Sequence, residues 1–81
     1  MSNLPVENLK ISINTEFIKL DQLLKFSQIA ESGADAKDII MSEMVEVNGE
    51  LCTMRGKKIR TGDTVSVYFE DAVVRITIGE E

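Results

Sequence analysis

A short run of basic residues is the feature of this sequence best suited to binding chemistry. The stretch Arg55-Gly56-Lys57-Lys58-Ile59-Arg60, called here the basic segment, holds four of the nine lysines and arginines and no acid. The net charge is −5, so the rest of the chain has five bases against fourteen acids. This segregation predicts one basic face on an acidic body, and lysine and arginine are the residues that neutralise phosphate groups.

Composition argues against most catalytic chemistries. The chain has no histidine, which excludes imidazole-assisted serine or cysteine catalysis and the usual zinc sites. The acids are scattered rather than spaced as in a calcium loop, and Gly56-Lys57-Lys58 lacks the flanking glycine and hydroxyl of a nucleotide-binding loop. We therefore expect no catalytic residues, no metal and no cofactor.

The length and composition predict one small folded domain. Eighty-one residues, of which 43% are hydrophobic and 28% charged, can build one modest core. The single Cys52 cannot form an internal disulfide and is interpreted as a small core residue. No stretch approaches the roughly 20 apolar residues of a membrane span. A cytoplasmic monomer that does not contact membranes is the expectation.

Hydrophobic spacing predicts a strand and then two helices in the first half of the chain. Apolar residues alternate over 9–13, after a tail at 1–8. Asp21 is predicted to cap a helix that ends near Ser32-Gly33, with Gly33 closing it in a left-handed conformation. Ser32 followed by Asp35 has the spacing of a capping box, which predicts a second helix almost without an intervening loop.

The second helix should bury one face and expose Lys37. Ala36, Ile39 and Ile40 share the spacing of a buried stripe, and Lys37 lies about 100 degrees away from Ala36. Val45 and Val47 then alternate with Met44 and Glu46 before the hairpin dipeptide Asn48-Gly49. The register of the return strand through Leu51 stays open, because two turn lengths place Leu51 on opposite faces.

Two further strands complete the predicted fold. Thr61-Gly62-Asp63 is a turn, and alternating apolar residues follow over 65–69 and 74–78. The expected fold class is therefore α+β, with two short helices packed on a small antiparallel β-sheet.

Residues 16–69 resemble the S-four type of RNA-binding domain, especially its short stand-alone bacterial members. The resemblance rests on the order Leu20-Asp21, Ser32-Gly33-Ala34, Ala36-Lys37, Ile39-Ile40, Val45-Glu46-Val47-Asn48-Gly49 and Gly62-Asp63. It implies that residues 9–79 form one such domain, whose two helices and hairpin make an L-shaped motif that grips structured RNA. Ribosomal RNA or the ribosome is the implied partner, and DNA is not expected.

The resemblance also implies which residues meet the RNA. By position these are Ser32 and Lys37 at the second helix, and Arg55, Lys57, Lys58 and Arg60 in the basic segment. Many family members have arginines directly after the serine, where this chain has Gly33 and Ala34. Small residues there would leave the amides at the helix N-terminus open to a phosphate.

Two functional hypotheses follow. In the first, the chain is a non-catalytic module that binds phosphates of structured RNA. In the second, the acidic surface docks on a basic protein, such as a ribosomal protein, and the basic segment is incidental. Reversing Lys57 and Lys58 to glutamate separates them, because only RNA binding requires those charges.

Overall fold

The computed structural model describes residues 4–80, which contain seven strands and two helices. In chain order these are β1 (Val6–Ile13), β2 (Ile18–Lys19), α1 (Leu20–Phe26), α2 (Gly33–Met41), β3 (Val45–Val47), β4 (Glu50–Leu51), β5 (Lys58–Ile59), β6 (Thr64–Tyr68) and β7 (Val73–Glu80). The α+β class with two helices and a small sheet is confirmed. Within the described residues, no helix is long and apolar enough to cross a membrane.

The strands form one five-stranded sheet and one two-stranded sheet. The larger sheet has the order β1-β7-β6-β3-β4, and β2 pairs with β5 in the smaller one. The larger sheet is mixed rather than purely antiparallel, which corrects the expectation, because β1 runs parallel to β7. Parallel pairing requires a long connection between the strands, and the residues between β1 and β7 provide it.

The strand β1 begins earlier than the alternating pattern predicts. Residues 6–8, which were expected to belong to a tail, pair with 73–75 of β7. Residues 1–3 of that predicted tail lie outside the described part of the chain. Val6 and Glu7 are exposed at the sheet edge, so hydrophobic alternation gives no sign of them.

The core lies between the helices and one face of the sheet. Its fully buried members come from both layers and include Leu20, Leu23, Leu24, Ala36, Ile40, Val45, Ile59, Val65, Val67 and Ile76. Ile39 packs against this core from a partly buried position. The predicted buried stripe of α2 is thus confirmed, and Lys37 is exposed as expected.

The first helix ends at Phe26, nearly two turns before the predicted end near Ser32-Gly33. Gln28 adopts a positive φ of 66°, and the Ser27 hydroxyl donates to the carbonyl of Leu24 (3.2 Å). Gly33 does not close α1 but is the first residue of α2, so six residues, 27–32, join the helices. A serine that bonds to the preceding turn competes with helix continuation, a local effect that the hydrophobic spacing did not reveal.

The hairpin register that the sequence left open is decided by a two-residue turn. Asn48 and Gly49 have φ of 53° and 86°, and Val47 pairs directly with Glu50. Positive φ at both central residues is the geometry that favours Asn-Gly. Leu51 is consequently opposite Glu46 and remains 55% exposed.

The single tyrosine, Tyr68, reports whether its hydroxyl is hydrogen-bonded to Glu46 across the sheet. The Tyr68 hydroxyl donates to Glu46 Oε1 (2.8 Å), and this bond, followed by burial and the Glu46 charge, raises the Tyr68 pKa above its usual 10.0. The neutral phenol is therefore favoured in the folded protein. The resulting stabilisation is complete below pH 10 and is lost as the pH rises through the raised pKa.

The ultraviolet absorbance of the phenolate should therefore titrate with a midpoint above pH 10. Glu46→Gln is expected to lower that midpoint towards 10, whereas Glu43→Gln, just beyond the C-cap of α2, should leave it unchanged. Because the chain has one tyrosine and no tryptophan, the signal belongs to Tyr68 alone. A midpoint that Glu46→Gln does not move would contradict the hydrogen bond.

Candidate nucleic-acid interface

The basic segment is an anchored part of the fold. Its strand, β5, pairs antiparallel with β2, so that Ile18 faces Ile59 and Lys19 faces Lys58. Ile59 is fully buried, whereas Arg55, Lys57, Lys58 and Arg60 are exposed. The burial of one isoleucine between the cations therefore holds them at the surface on an ordered backbone.

The backbone of the basic segment also caps α1. The amides of Leu20 and Asp21 donate to the carbonyls of Lys57 (2.9 Å) and Arg55 (3.0 Å). These are first-turn amides, which have no partner within a helix. Asp21, the predicted cap, lies inside the helix and accepts from the next amide along the chain instead. Contact with a distant loop thus replaces the local side-chain cap.

The ring of Phe17, to which the sequence assigned no role, makes cation–π contacts with two cations of the basic segment. The Lys58 ammonium is 4.9 Å from the centroid of the Phe17 ring, and the Arg60 guanidinium is 5.9 Å from it. At exposed sites such a cation–π contact contributes about 0.5–1 kcal/mol. Phe17 therefore restricts two long side chains that would otherwise sample many rotamers. The β2–β5 pairing brings Phe17 next to Lys58 and Arg60, which are distant from it in the sequence.

Lys19 adds a fifth cation to the four of the basic segment, and the sequence does not predict it there. It lies on β2 directly opposite Lys58 and is exposed. Like charges at directly opposed strand positions repel each other, so an anion between them would relieve an unfavourable contact. The sequence contains no local signal for Lys19, since it stands 36 residues before the basic segment.

The α2 N-terminus has the predicted cap. The Ser32 hydroxyl accepts from the Asp35 amide (3.1 Å), and Asp35 Oδ2 accepts from the Glu31 amide (3.0 Å). The second bond therefore reaches one residue further back than in the usual capping box. Ser32 and Lys37 are both exposed. Ser32 is the N-cap of α2 and Lys37 lies on α2, which packs against α1, the helix whose first turn the basic segment caps.

Hydrogen bonds of the Asn48 and Asp63 side chains, called here the Asn48–Asp63 bracket, hold the C-terminal end of the basic segment. Asn48 Nδ2 donates to Asp63 Oδ1 (3.0 Å), and the Thr64 amide donates to Asn48 Oδ1 (2.9 Å). The second oxygen of Asp63 accepts from the Arg60 amide (2.8 Å). Asn48 is therefore a turn residue, as predicted, and also ties the hairpin to the basic segment.

An open groove lies between the hairpin and the basic segment, with a volume of about 680 Å³. It is lined by Val47, Asn48, Glu50, Leu51, Cys52, Thr53, Met54, Lys57, Lys58, Arg60 and Asp63. Three of the predicted site residues, Lys57, Lys58 and Arg60, thus share one surface. Among residues 4–80, no three histidine, cysteine or acidic side chains are grouped so as to hold a metal ion.

Comparisons with known proteins identify the family. The family model of the S4 domain, which is the S-four type of RNA-binding domain, matches residues 11–77. A protein of Bacillus subtilis named probable ribosome maturation protein RlbA is 42% identical over 57 residues, which are 70% of this chain and 80% of that one. The solution structure of Escherichia coli YbcJ, described as revealing an αL motif involved in RNA-binding, is 32% identical. It superposes with a TM-score of 0.55 over 95% of this chain and 91% of YbcJ. The chain therefore belongs to the S4 domain family.

Proposed function

We propose that this protein binds structured RNA without catalysing a reaction, and that ribosomal RNA is its principal target. S4 domains are a non-catalytic, RNA-binding family. The name of the Bacillus subtilis relative connects that protein to ribosome maturation, and the αL motif of YbcJ is described as involved in RNA-binding. These associations support a role for this chain at ribosomal RNA or at the ribosome.

The observation that carries the proposal is the way the basic segment is held. Its backbone is ordered before any ligand binds. Three contacts hold it: two backbone hydrogen bonds to α1, the buried Ile59 and the Asn48–Asp63 bracket. Phe17 also orders two of its side chains. Binding therefore costs less conformational entropy than it would on a free loop, and the acidic remainder of the chain directs the RNA to this face.

The proposed contacts are of two kinds. Arg55, Lys57, Lys58 and Arg60 neutralise phosphates, and the opposed pair Lys19 and Lys58 accommodates one phosphate between them. Ser32 and Lys37 supply a second contact at α2. The carboxylate of Asp35 lies in the first turn of α2 and competes with an incoming phosphate there, so we assign the larger share of the affinity to the basic segment.

Salt dependence gives the first quantitative test. If four phosphates are neutralised, the logarithm of the RNA association constant should fall against the logarithm of salt concentration with a slope of roughly −3 to −4. Fluorescence anisotropy with a labelled ribosomal RNA hairpin measures that slope. A flat response would contradict phosphate binding and would favour the acidic protein-docking alternative.

An amide NMR titration with the same RNA at low salt locates the surface. Shifts at residues 32–37 and 55–60 are the expected result, and Lys19 should shift with them. Shifts restricted to 55–60 would remove α2 from the interface. No shifts at either place, with several folded RNAs tested, would contradict the proposed function.

A further inference from the structure

We propose that the groove between the hairpin and the basic segment holds the base of one unpaired nucleotide in the RNA. This inference rests on the proposed function and deepens it, because it specifies the class of RNA: a helix interrupted by a bulged or looped-out base. Phosphate contacts alone do not require such a feature, since every RNA helix presents phosphates.

The groove has the size of a ligand site. Its volume of about 680 Å³ lies within the roughly 300–1,000 Å³ of clefts that hold small molecules. Its hairpin wall is fixed by the Asn48–Asp63 bracket and its opposite wall by the capping of α1. The two walls are therefore present before binding, as a site for a single base requires.

The lining has an apolar surface bordered by cations. Leu51 and Met54 are 55% and 61% exposed, and Cys52 lies half-buried between them in the sequence. A flipped-out base packs on apolar side chains as well as aromatic ones, and the polarisable thioether of methionine suits a π-face. These two side chains supply an apolar packing surface for a base, in a chain that has three phenylalanines, one tyrosine and no tryptophan.

The charges of the groove fit a nucleotide. Lys57, Lys58 and Arg60 border the apolar surface and can hold the phosphates on either side of the base. Of the two acids, Asp63 already has both carboxylate oxygens engaged by Asn48 and by the Arg60 amide. Glu50 offers an acceptor for an exocyclic amino group, the contact that carboxylates make with cytosine.

Two RNA hairpins that differ by one nucleotide provide the test. Both have the same paired stem, and one also carries a single bulged 2-aminopurine, whose fluorescence reports unstacking. We expect the protein to bind the bulged hairpin about tenfold more tightly, towards the lower end of what one stacked base contributes elsewhere. The 2-aminopurine fluorescence should rise as the base leaves the RNA stack.

Substitutions in the groove should remove this preference and nothing else. Leu51→Thr and Met54→Gln are each expected to reduce the difference between the hairpins to about twofold, with affinity for the paired stem unchanged. Both side chains are exposed, so folding is preserved. Met41→Gln is the matched control, because Met41 is 60% exposed on α2 and lies outside the groove. It should retain the full preference.

The outcomes separate the two proposals. Equal affinity of the wild-type protein for both hairpins would overturn the groove inference and leave RNA binding intact. A preference that survives both groove substitutions would place the base elsewhere and would also overturn it. Failure to bind either hairpin or any other folded RNA would contradict the proposed function itself.

Discussion

Reversing Lys57 and Lys58 to glutamate should weaken RNA binding by about a hundredfold at 0.1 M salt, because two phosphate contacts are lost. The slope of the salt dependence should become shallower by about 2 for the same reason. Both side chains are exposed and border the same groove, so the change acts on binding rather than on the core. Fluorescence anisotropy over a series of salt concentrations measures both quantities.

The matched control is the double reversal of Lys10 and Lys25, which changes the net charge by the same amount. Both residues are exposed, on β1 and in the last turn of α1, and neither belongs to the basic segment or lines the groove. If this control weakens binding equally, the effect comes from total charge and not from the proposed surface. Binding that Lys57→Glu/Lys58→Glu leaves unchanged or improves would instead favour an acidic surface that docks on a basic protein.

Truncating Ile59 to alanine should lower the free energy of unfolding by about 2–5 kcal/mol, because its side chain is fully buried. That loss is large for an 81-residue domain, whose total stability is expected to be roughly 4–12 kcal/mol. Ile59 is the buried anchor of the basic segment, and the substitution leaves every charge in place. Urea unfolding followed by circular dichroism measures the change.

Ile59→Val provides the control, because it keeps the β-branched shape and removes one methylene. It should cost about 0.5–1.5 kcal/mol and should retain RNA binding close to that of the wild type. If Ile59→Ala were as mild as Ile59→Val, the basic segment would not depend on this anchor. The preordering on which the proposed function relies would then be wrong.

Local patterns in the sequence were enough to predict several elements of this protein. Ser32 and Asp35 predicted the start of α2, and Asn48-Gly49 predicted a tight hairpin turn; both are confirmed. The basic segment and the resemblance to the S-four domain were also recognisable before the fold was known. Each of these signals depends on residues a few positions apart, whose backbone conformations are coupled through capping or through turn geometry.

Other parts of the candidate site depended on contacts between distant segments. The carbonyls of Arg55 and Lys57 cap α1 in place of Asp21, and the β2–β5 pairing brings Phe17 and Lys19 to the basic segment. A two-residue strand has too few positions to show an alternating pattern, and backbone carbonyls are the same in every residue. Neither feature therefore has a sequence signal of its own.

Residue types and local spacing are enough to indicate which residues carry positive charge, where the hairpin turns and which residues can form the core. The assembled fold selects which cations share a surface, the parallel pairing of β1 with β7 and the exposure of Leu51 and Met54 beside the basic segment. The two groups of features differ in the range of the interactions that fix them. Caps, turns and alternation act over a few residues, whereas strand register and loop docking are selected by the burial of the whole core at once.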